Sequence, residues 1–384
     1  MIRMTASTRR FPIQPLGSVV EFLDHLRRPV KAGERPEGDY PYFGANGQQG
    51  TINGYIFDEP LVLLAEDGGH FDNPERGVAY KISGKTWVNN HAHVLRPRES
   101  IDVDFLFRML QHRDVSQFIT GSTRAKLTKS GAAQITVPIP PLGEQRRIAQ
   151  VLDSVDALRT KRRSAIALLD DLVQSIFLYM FGDPQENSHA WPTTTLSCLA
   201  DPGDRINYGV VQPGDEYDNG IALVRVGDLI DGRVNRSAIK RIDPKIEAKC
   251  SRSRLKGNEI LVGCVGSIGS IALTGRCDIG SNIARAVARI PISSEMQRIF
   301  VAEHLRCASV QHYFTSELRT VTQPTLNIKQ LSETTVMMPP HDLQAEFVSR
   351  ITSVDALRKR HLLHLAHLDA LFLSLQHCVF HGEL

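Results

Sequence analysis

Residues 140–183 read PPLGEQRRIAQVLDSVDALRTKRRSAIALLDDLVQSIFLYMFGD, and residues 339–382 read PPHDLQAEFVSRITSVDALRKRHLLHLAHLDALFLSLQHCVFHG. The two stretches align without a gap at an offset of 339 − 140 = 199, and 15 of the 44 aligned positions are identical. The longest identical run is Ser154 to Arg159 over Ser353 to Arg358. Such identity marks an internal duplication. Each copy is almost free of Gly and Pro after its opening Pro-Pro pair. Apolar residues recur at alternating spacings of four and three: Ile148, Leu152, Val155, then Ile166, Leu169, Val173, Ile176 and Met180. The second copy repeats the pattern with Phe347, Ile351, Val354, then Leu365, Leu368, Phe372, Leu375 and Val379. That is a heptad seam on a long helix. Both seams break at the same places, Arg159 and Arg162 in one copy, Arg358 and His361 in the other. Two such seams in one chain can bury each other as an antiparallel coiled coil.

Working outward, the duplication reaches the start of each unit. Phe11-Pro12 and Leu16 match Trp191-Pro192 and Leu196 at an offset of 180. The second unit therefore carries 199 − 180 = 19 more residues in its body. Between the landmarks the two bodies differ in sequence. The first holds strand-like runs such as Leu61 to Leu64 and His93 to Leu95, separated by turn signals at Asn46-Gly47, Asn53-Gly54 and Gly68-Gly69. The second holds Ile221 to Val226, Ile260 to Gly263 and Ala286 to Ile290. The expected fold class is α+β: two α/β domains, each followed by a long helix, the helices pairing antiparallel. The boundaries are 1–140 and 184–338 for the domains, 141–183 and 339–384 for the helices.

Composition narrows the class. The 384 residues are 42% hydrophobic and 23% charged, typical of a globular chain. No run of apolar residues reaches the ~18 needed to span a membrane, and Met1 to Arg10 lacks the apolar core of a secretory signal. Six cysteines, none before Cys198 and none spaced as C-x-x-C, argue for a reducing cytoplasm, with no disulfide framework and no zinc site. The net charge of +3 is small, but its distribution is not even. Nine basic residues against two acidic ones lie between Arg233 and Lys256. Arg124, Lys126 and Lys129 stand without an acid between Ser122 and Gly143. Local positive patches of this kind suit phosphates.

At this point the residues resemble the specificity subunits of type I restriction enzymes. Pro140-Pro141-Leu142-Gly143-Glu144-Gln145 carries the family's helix-entry motif in full, whereas the second copy, Pro339 to Gln344, has lost its Leu and Glu. Tyr40 to Gly47, Ala65 to Gly68 and Trp87 to His93 resemble one form of the family's target-recognition domain. Val224 to Leu229 and Gly266 to Gly269 resemble another. The resemblance implies that each domain reads one half of a split site on double-stranded DNA. It implies that the helices set the spacing and dock two methyltransferase subunits, with restriction and translocase subunits beyond them. Pro140, Pro141, Glu144, Gln145 and Gln344 are the expected partner-binding residues. S-adenosylmethionine, ATP and Mg2+ would belong to those other subunits, with no cofactor in this chain.

The expected DNA-binding residues are polar or basic: Asn46, Asn89, Asn90, His91, Ser122, Thr123, Arg124 and Lys126 in the first domain, and Arg225, Lys245, Lys249, Arg252, Ser267, Asn282, Gln323 and Thr325 in the second, with Lys245, Lys249 and Arg252 expected on phosphates. Catalytic motifs are missing. There is no phosphate-binding G-x-x-x-x-G-K loop. Neither Pro-Pro pair is preceded by Asn or Asp and followed by an aromatic residue, as the base-holding loop of an amino-methyltransferase requires. Asp243, Glu247 and Lys249 mimic a nuclease constellation but lie too close together in a basic stretch. His91 and His93 share a strand face without a third ligand nearby, so hydrogen bonding is the expected role and no metal is expected. A self-contained restriction or methylation enzyme would need the absent loops. A coiled-coil adaptor without DNA contact would leave two dissimilar domains unexplained.

Overall fold

The computed structural model describes residues 11–381, apart from 72, 74, 75, 122, 123 and 317–323. The chain divides into two compact units: Met1–Arg163 with Leu362–Leu384, and Ser164–His361. The division cuts both long helices, Leu142–Phe181 and His341–His381, rather than setting them apart as layers of their own. The cuts fall beside the polar breaks in the seams.

In the first unit, Ile13–Pro15 pairs antiparallel with Thr136–Pro138 and so closes the domain on itself. Its centre is an antiparallel sheet in the order Val20–Phe22, Ala92–Pro97, Leu61–Ala65, Ala79–Ile82. Leu61–Ala65 is buried at every position. A continuous apolar strand of this kind must be covered on both faces. One face packs on the helix Val103–Leu110 through Phe105, Leu106 and Met109, and the other on a smaller core with Phe57, Val88 and Val94. Asp102 caps that helix by accepting from the backbone N–H groups of Asp104 and Phe105. A second sheet, Gly47–Ile52, Tyr40–Gly44, Lys85–Val88 and Phe57–Asp58, carries loops toward the site described below.

The second unit repeats this frame. Thr193–Thr195 pairs antiparallel with Thr335–Met337, at the offsets of 180 and 199 found in the sequence. Its six-stranded sheet runs Asn207–Tyr208, Val287–Pro291, Glu259–Gly263, Ile271–Leu273, Arg233–Val234, Leu229–Ile230. A three-stranded sheet, Lys240–Ile242, Ile221–Val224 and Asn282–Ile283, sits beside it in sequence but not in pairing.

Within each unit, part of one long helix runs antiparallel to part of the other. In the first, Ile148, Leu152 and Val155 share a core with Phe372 and Val379, and Arg159 meets Asp369. In the second, Asp170 meets Arg358, while the rings of Phe177 and Phe181 lie 5.4 and 5.3 Å from that of Phe347. Burial is deep where a domain covers the pair and shallow at Ile166, Leu169 and Leu365, because two helices alone bury only one stripe each. In the second unit the deepest row is Phe177 and Phe181, with Ile176 and Met180 of the expected seam only partly buried. By length and composition both helices hold an 18-residue stretch apolar enough to cross a membrane, with mean hydropathy of 1.4 and 1.2, which counting uninterrupted apolar runs does not detect.

The two helix entries are built alike. Gln145 is buried; it donates to the carbonyls of Pro140 at 2.8 Å and Ser100 at 3.0 Å and accepts from the Asp102 N–H at 2.8 Å. Gln344 is also buried and donates to the Pro339 carbonyl at 2.8 Å. These glutamines, and the buried Pro140, therefore hold the junction from inside and offer no side chain to a partner, a correction to the sequence expectation. Pro141 is exposed, and Glu144 is half-buried and paired with Arg147 at 2.7 Å.

Candidate nucleic-acid interface

In the first unit, four loops meet around Glu66-Asp67-Gly68, which follows the buried strand. The backbone N–H of Glu66 donates to the His91 carbonyl, and that of Leu127 to the Glu66 carbonyl, so this segment is held between two neighbours. Asn46 donates to the Gly68 carbonyl at 2.8 Å. Gly68 has φ +65°, a backbone conformation that suits glycine at this turn. His91 Nδ1 lies 2.6 Å from Asp67 Oδ1, and Arg124 donates to the same oxygen at 2.8 Å. Lys126 pairs with Glu66 at 2.8 Å. Thus Asn46, His91, Arg124 and Lys126, scattered over 80 residues of sequence, share one face, with Asn90 exposed beside His91. Asn89 is a correction: it is 4% exposed, accepts from the His91 N–H and donates to Gln49. It shapes the turn and cannot reach a base. Ser122 and Thr123 lie outside the described residues.

The acids that gather this face were not among the expected site residues. Their sequence signal is the resemblance of Ala65 to Gly68 to a recognition domain, together with two carboxylates between a continuous apolar strand and a Gly-Gly pair. Beneath them is a buried ionic cluster. Arg27 pairs with Glu66 at 2.6 Å, and His93 lies 2.6 Å from Asp24 and 2.8 Å from the Leu127 carbonyl. Burial pushes the Glu66 carboxyl up, but hydrogen bonds from Lys126 and Arg27 outweigh it and hold it below the usual range. The same balance lowers Asp24, where His93 supplies the largest opposing effect. Asp24, Glu66 and His93 are near enough to one another to hold a metal ion. Arg27 and Lys126 already match the carboxylates, and both imidazole nitrogens face acceptors, so the residues fit an internal ion-pair network better than a cation site.

In the second unit the structure sorts the basic stretch. Arg233 pairs with Asp355, Arg236 with Asp278, Arg254 with Glu247, and Lys256 with Asp204. Lys240 and Arg241 donate to the carbonyls of Gly214 and Gly220. Lys245, Lys249 and Arg252 are exposed, and their side chains make no ion pair or hydrogen bond among the described residues. All three lie on or beside the short helix Pro244–Ala248, which Asp243 caps through the Lys245 N–H. Asn282 is fully buried under this helix and is the second correction. It donates to Glu247 at 3.1 Å and to the Cys250 carbonyl at 3.0 Å, and accepts from Ser253 at 2.7 Å. It positions the basic segment rather than touching DNA. Glu247 is held below the usual carboxylate range, chiefly by its hydrogen bond with Arg254. Its pairing also removes it from any nuclease role with Asp243 and Lys249. Arg225 is exposed and bonded to Asp228 at 3.1 Å, Ser267 is exposed in a glycine-flanked turn, and Thr325 is exposed and bridges to Val265. Gln323 lies outside the described residues.

A family model, the type I restriction modification DNA specificity domain, matches residues 12–168 and 203–365. A Haemophilus influenzae protein named provisionally as a type I restriction enzyme specificity subunit is 38% identical over 148 residues, 38% of this chain and 38% of that protein. The EcoBI specificity subunit of Escherichia coli is 31% identical over 298 residues, 69% of this chain and 62% of the relative. The chain thus spans less than two thirds of either relative. The StySPI specificity subunit of Salmonella potsdam matches 91% of the chain and 83% of its own length at 24% identity. Among solved structures, the S subunit of a type I restriction-modification system from M. genitalium covers 99% of this chain and 98% of its own, with a TM-score of 0.58 at 15% identity. A structure described as explaining assembly and conformational transition of the type I system covers 99% and 100%, with a TM-score of 0.56 at 19% identity. At these identities the likeness to the solved structures is one of fold.

Proposed function

The chain belongs to the type I restriction modification DNA specificity family, and from that membership we propose that it reads a split, asymmetric site on double-stranded DNA and performs no bond-breaking chemistry itself. One observation carries the reading: a duplicated frame of terminal strand pair and long helix supports two bodies whose loops differ. A fixed mount with unlike heads suits two unlike half-sites. The first head presents amide, imidazole and guanidinium groups matched by acids, which suits hydrogen bonding to base edges. The second presents three unmatched cations on one short segment, which suits phosphates. The long helices would dock two methyltransferase subunits, and through them restriction and translocase subunits. Those partners would hold S-adenosylmethionine, ATP and Mg2+.

The test is to sequence methylated bases in cells that carry the complete system, with and without this chain. The expected result is a two-part motif with unlike halves that disappears when the chain is deleted. A contiguous motif, or a motif that survives the deletion, overturns the reading.

A further inference from the structure

The two units place different residues at one equivalent position. In the first, the segment after the central strand is held by Glu66 N–H to the His91 carbonyl and by a bridge from Asp67 to Lys126. In the second, Cys264 N–H donates to the Ala286 carbonyl, and Val265 bridges to Thr325. The backbone frame therefore forms equally well with valine where the first unit has Asp67. The carboxylate is not needed for the fold of this segment, so its role lies in what it holds.

What it holds is the exposed part of the reading face. The Asp67 side chain is 14% exposed, while His91 and Arg124, both bonded to its Oδ1, are 39% and 67% exposed. A carboxylate oxygen only accepts, so Nδ1 of His91 is the donor in that bond. In a neutral imidazole the other nitrogen then presents a lone pair. The backbone of His91 is fixed independently, by its N–H to buried Asn89 and its carbonyl to Glu66. Ring orientation is thus set by one residue, and in the neutral ring Nε2 is left as the acceptor.

We propose that Asp67 is a positioning residue that sets base specificity in the first head: it turns the His91 Nε2 lone pair outward to accept from a base amino group, adenine N6 or cytosine N4, with Arg124 held beside it. The inference rests on the reading of the chain as a DNA-recognition subunit and names the base chemistry of its first half-site.

The experiment selects bound sequences from duplex DNA with a randomised window, using the full-length chain assembled with its own methyltransferase subunits. Asp67→Ala and His91→Ala should each lose about tenfold of preference at one and the same base position, where the wild type requires A or C on one strand, with the other half-site unchanged. Asp67→Asn keeps an acceptor facing Nδ1 and should hold that preference to within about threefold. A purely structural role would weaken all positions together and would not make the two alanine variants coincide. The proposal is overturned if Asp67→Ala leaves every preference intact, if the two variants act at different positions, or if Asp67→Asn is as impaired as Asp67→Ala. If the wild type itself enriches no split motif, the recognition reading fails first and takes this inference with it.

Discussion

Arg159 donates through Nε to Asp369 Oδ1 at 2.6 Å, tying the two long helices together within the first unit. The repeat places the same bond in the second unit, where Arg358 Nε lies 2.7 Å from Asp170 Oδ1. The offset of 199 carries Arg159 to Arg358 and Asp170 to Asp369, so each duplicated helix gives the arginine to one pair and the aspartate to the other. Two of the positions that break the apolar seams, Arg159 and Arg358, thus make cross-helix ion pairs. Arg159 also lies 4.6 Å from the Phe372 ring centroid, which adds a cation–π contact in the first unit only. Asp369 is 38% exposed and Asp170 is 53% exposed, so water screens the second pair more. Asp369→Ala should destabilise the first unit by about 1–2 kcal/mol, and Asp170→Ala the second by about 0.5–1 kcal/mol. Hydrogen exchange resolved by unit reads both. Equal losses would show that the difference in screening does not matter, and no loss in either unit that the pairs fix register without adding stability.

The two heads should differ in salt dependence. Neutralising Lys245, Lys249 and Arg252 should lower the slope of log affinity against log salt by up to about three units, roughly one for each phosphate that no longer meets a cation. Neutralising Arg124 and Lys126 should lower it by less than about one unit, because Asp67 and Glu66 already match their charge. Titrations at several salt concentrations measure this. A drop as large from Arg124 and Lys126 as from the three unmatched cations would mean that the acids release their partners to DNA.

Asn282 should act through the basic segment above it. Asn282→Ala removes the buried hydrogen bonds with Ser253, Glu247, the Cys250 carbonyl and the Ile283 N–H, and should cost the second unit about 1–3 kcal/mol. Affinity should fall about equally for all base variants of the bound site, because the residue is buried and touches no base. Loss confined to one base position in a binding panel would make Asn282 a base reader after all.

His304 makes the second unit sensitive to mild acid. Its ring is buried, lies edge-on to Phe177 and tilted against Phe300, and accepts from the Met337 N–H at 3.2 Å. Burial pushes the imidazole from 6.5 down to about 4, with Asp183 opposing. A group whose folded value is depressed supplies stability that is complete above its unfolded value of 6.5 and is lost as pH falls toward 4. By about pH 5 the loss should reach ~2 kcal/mol, felt in the second unit. His304→Gln keeps an acceptor for Met337 and should flatten that dependence. Hydrogen exchange of second-unit amides at about pH 7 and about pH 5, corrected for intrinsic rates, would show it. An unchanged slope in the variant would place the acid sensitivity elsewhere.

The sequence by itself determined the duplication, the long helices and their antiparallel pairing, because a seam of period 3.5 is a local property that survives in one dimension. The landmarks near Ile13 and Thr193 showed only that the duplication reaches the start of each body; the pairing of these segments with Thr136–Pro138 and Thr335–Met337 came from the tertiary structure. Only the tertiary structure decided which polar residues face outward. Asn90 and Asn89 are adjacent and equally polar, yet one is exposed and the other buried, because both lie at a turn, which has no period to read, and Asn89 is turned in to accept from the His91 N–H. Asn282 looked like a base reader and is a buried support; Asp67 gave no sign of joining His91, 24 residues on, to Arg124, 57 residues on. Burial and ion pairing depend on distances between segments remote in the chain, and a single sequence records the partners without recording that they meet.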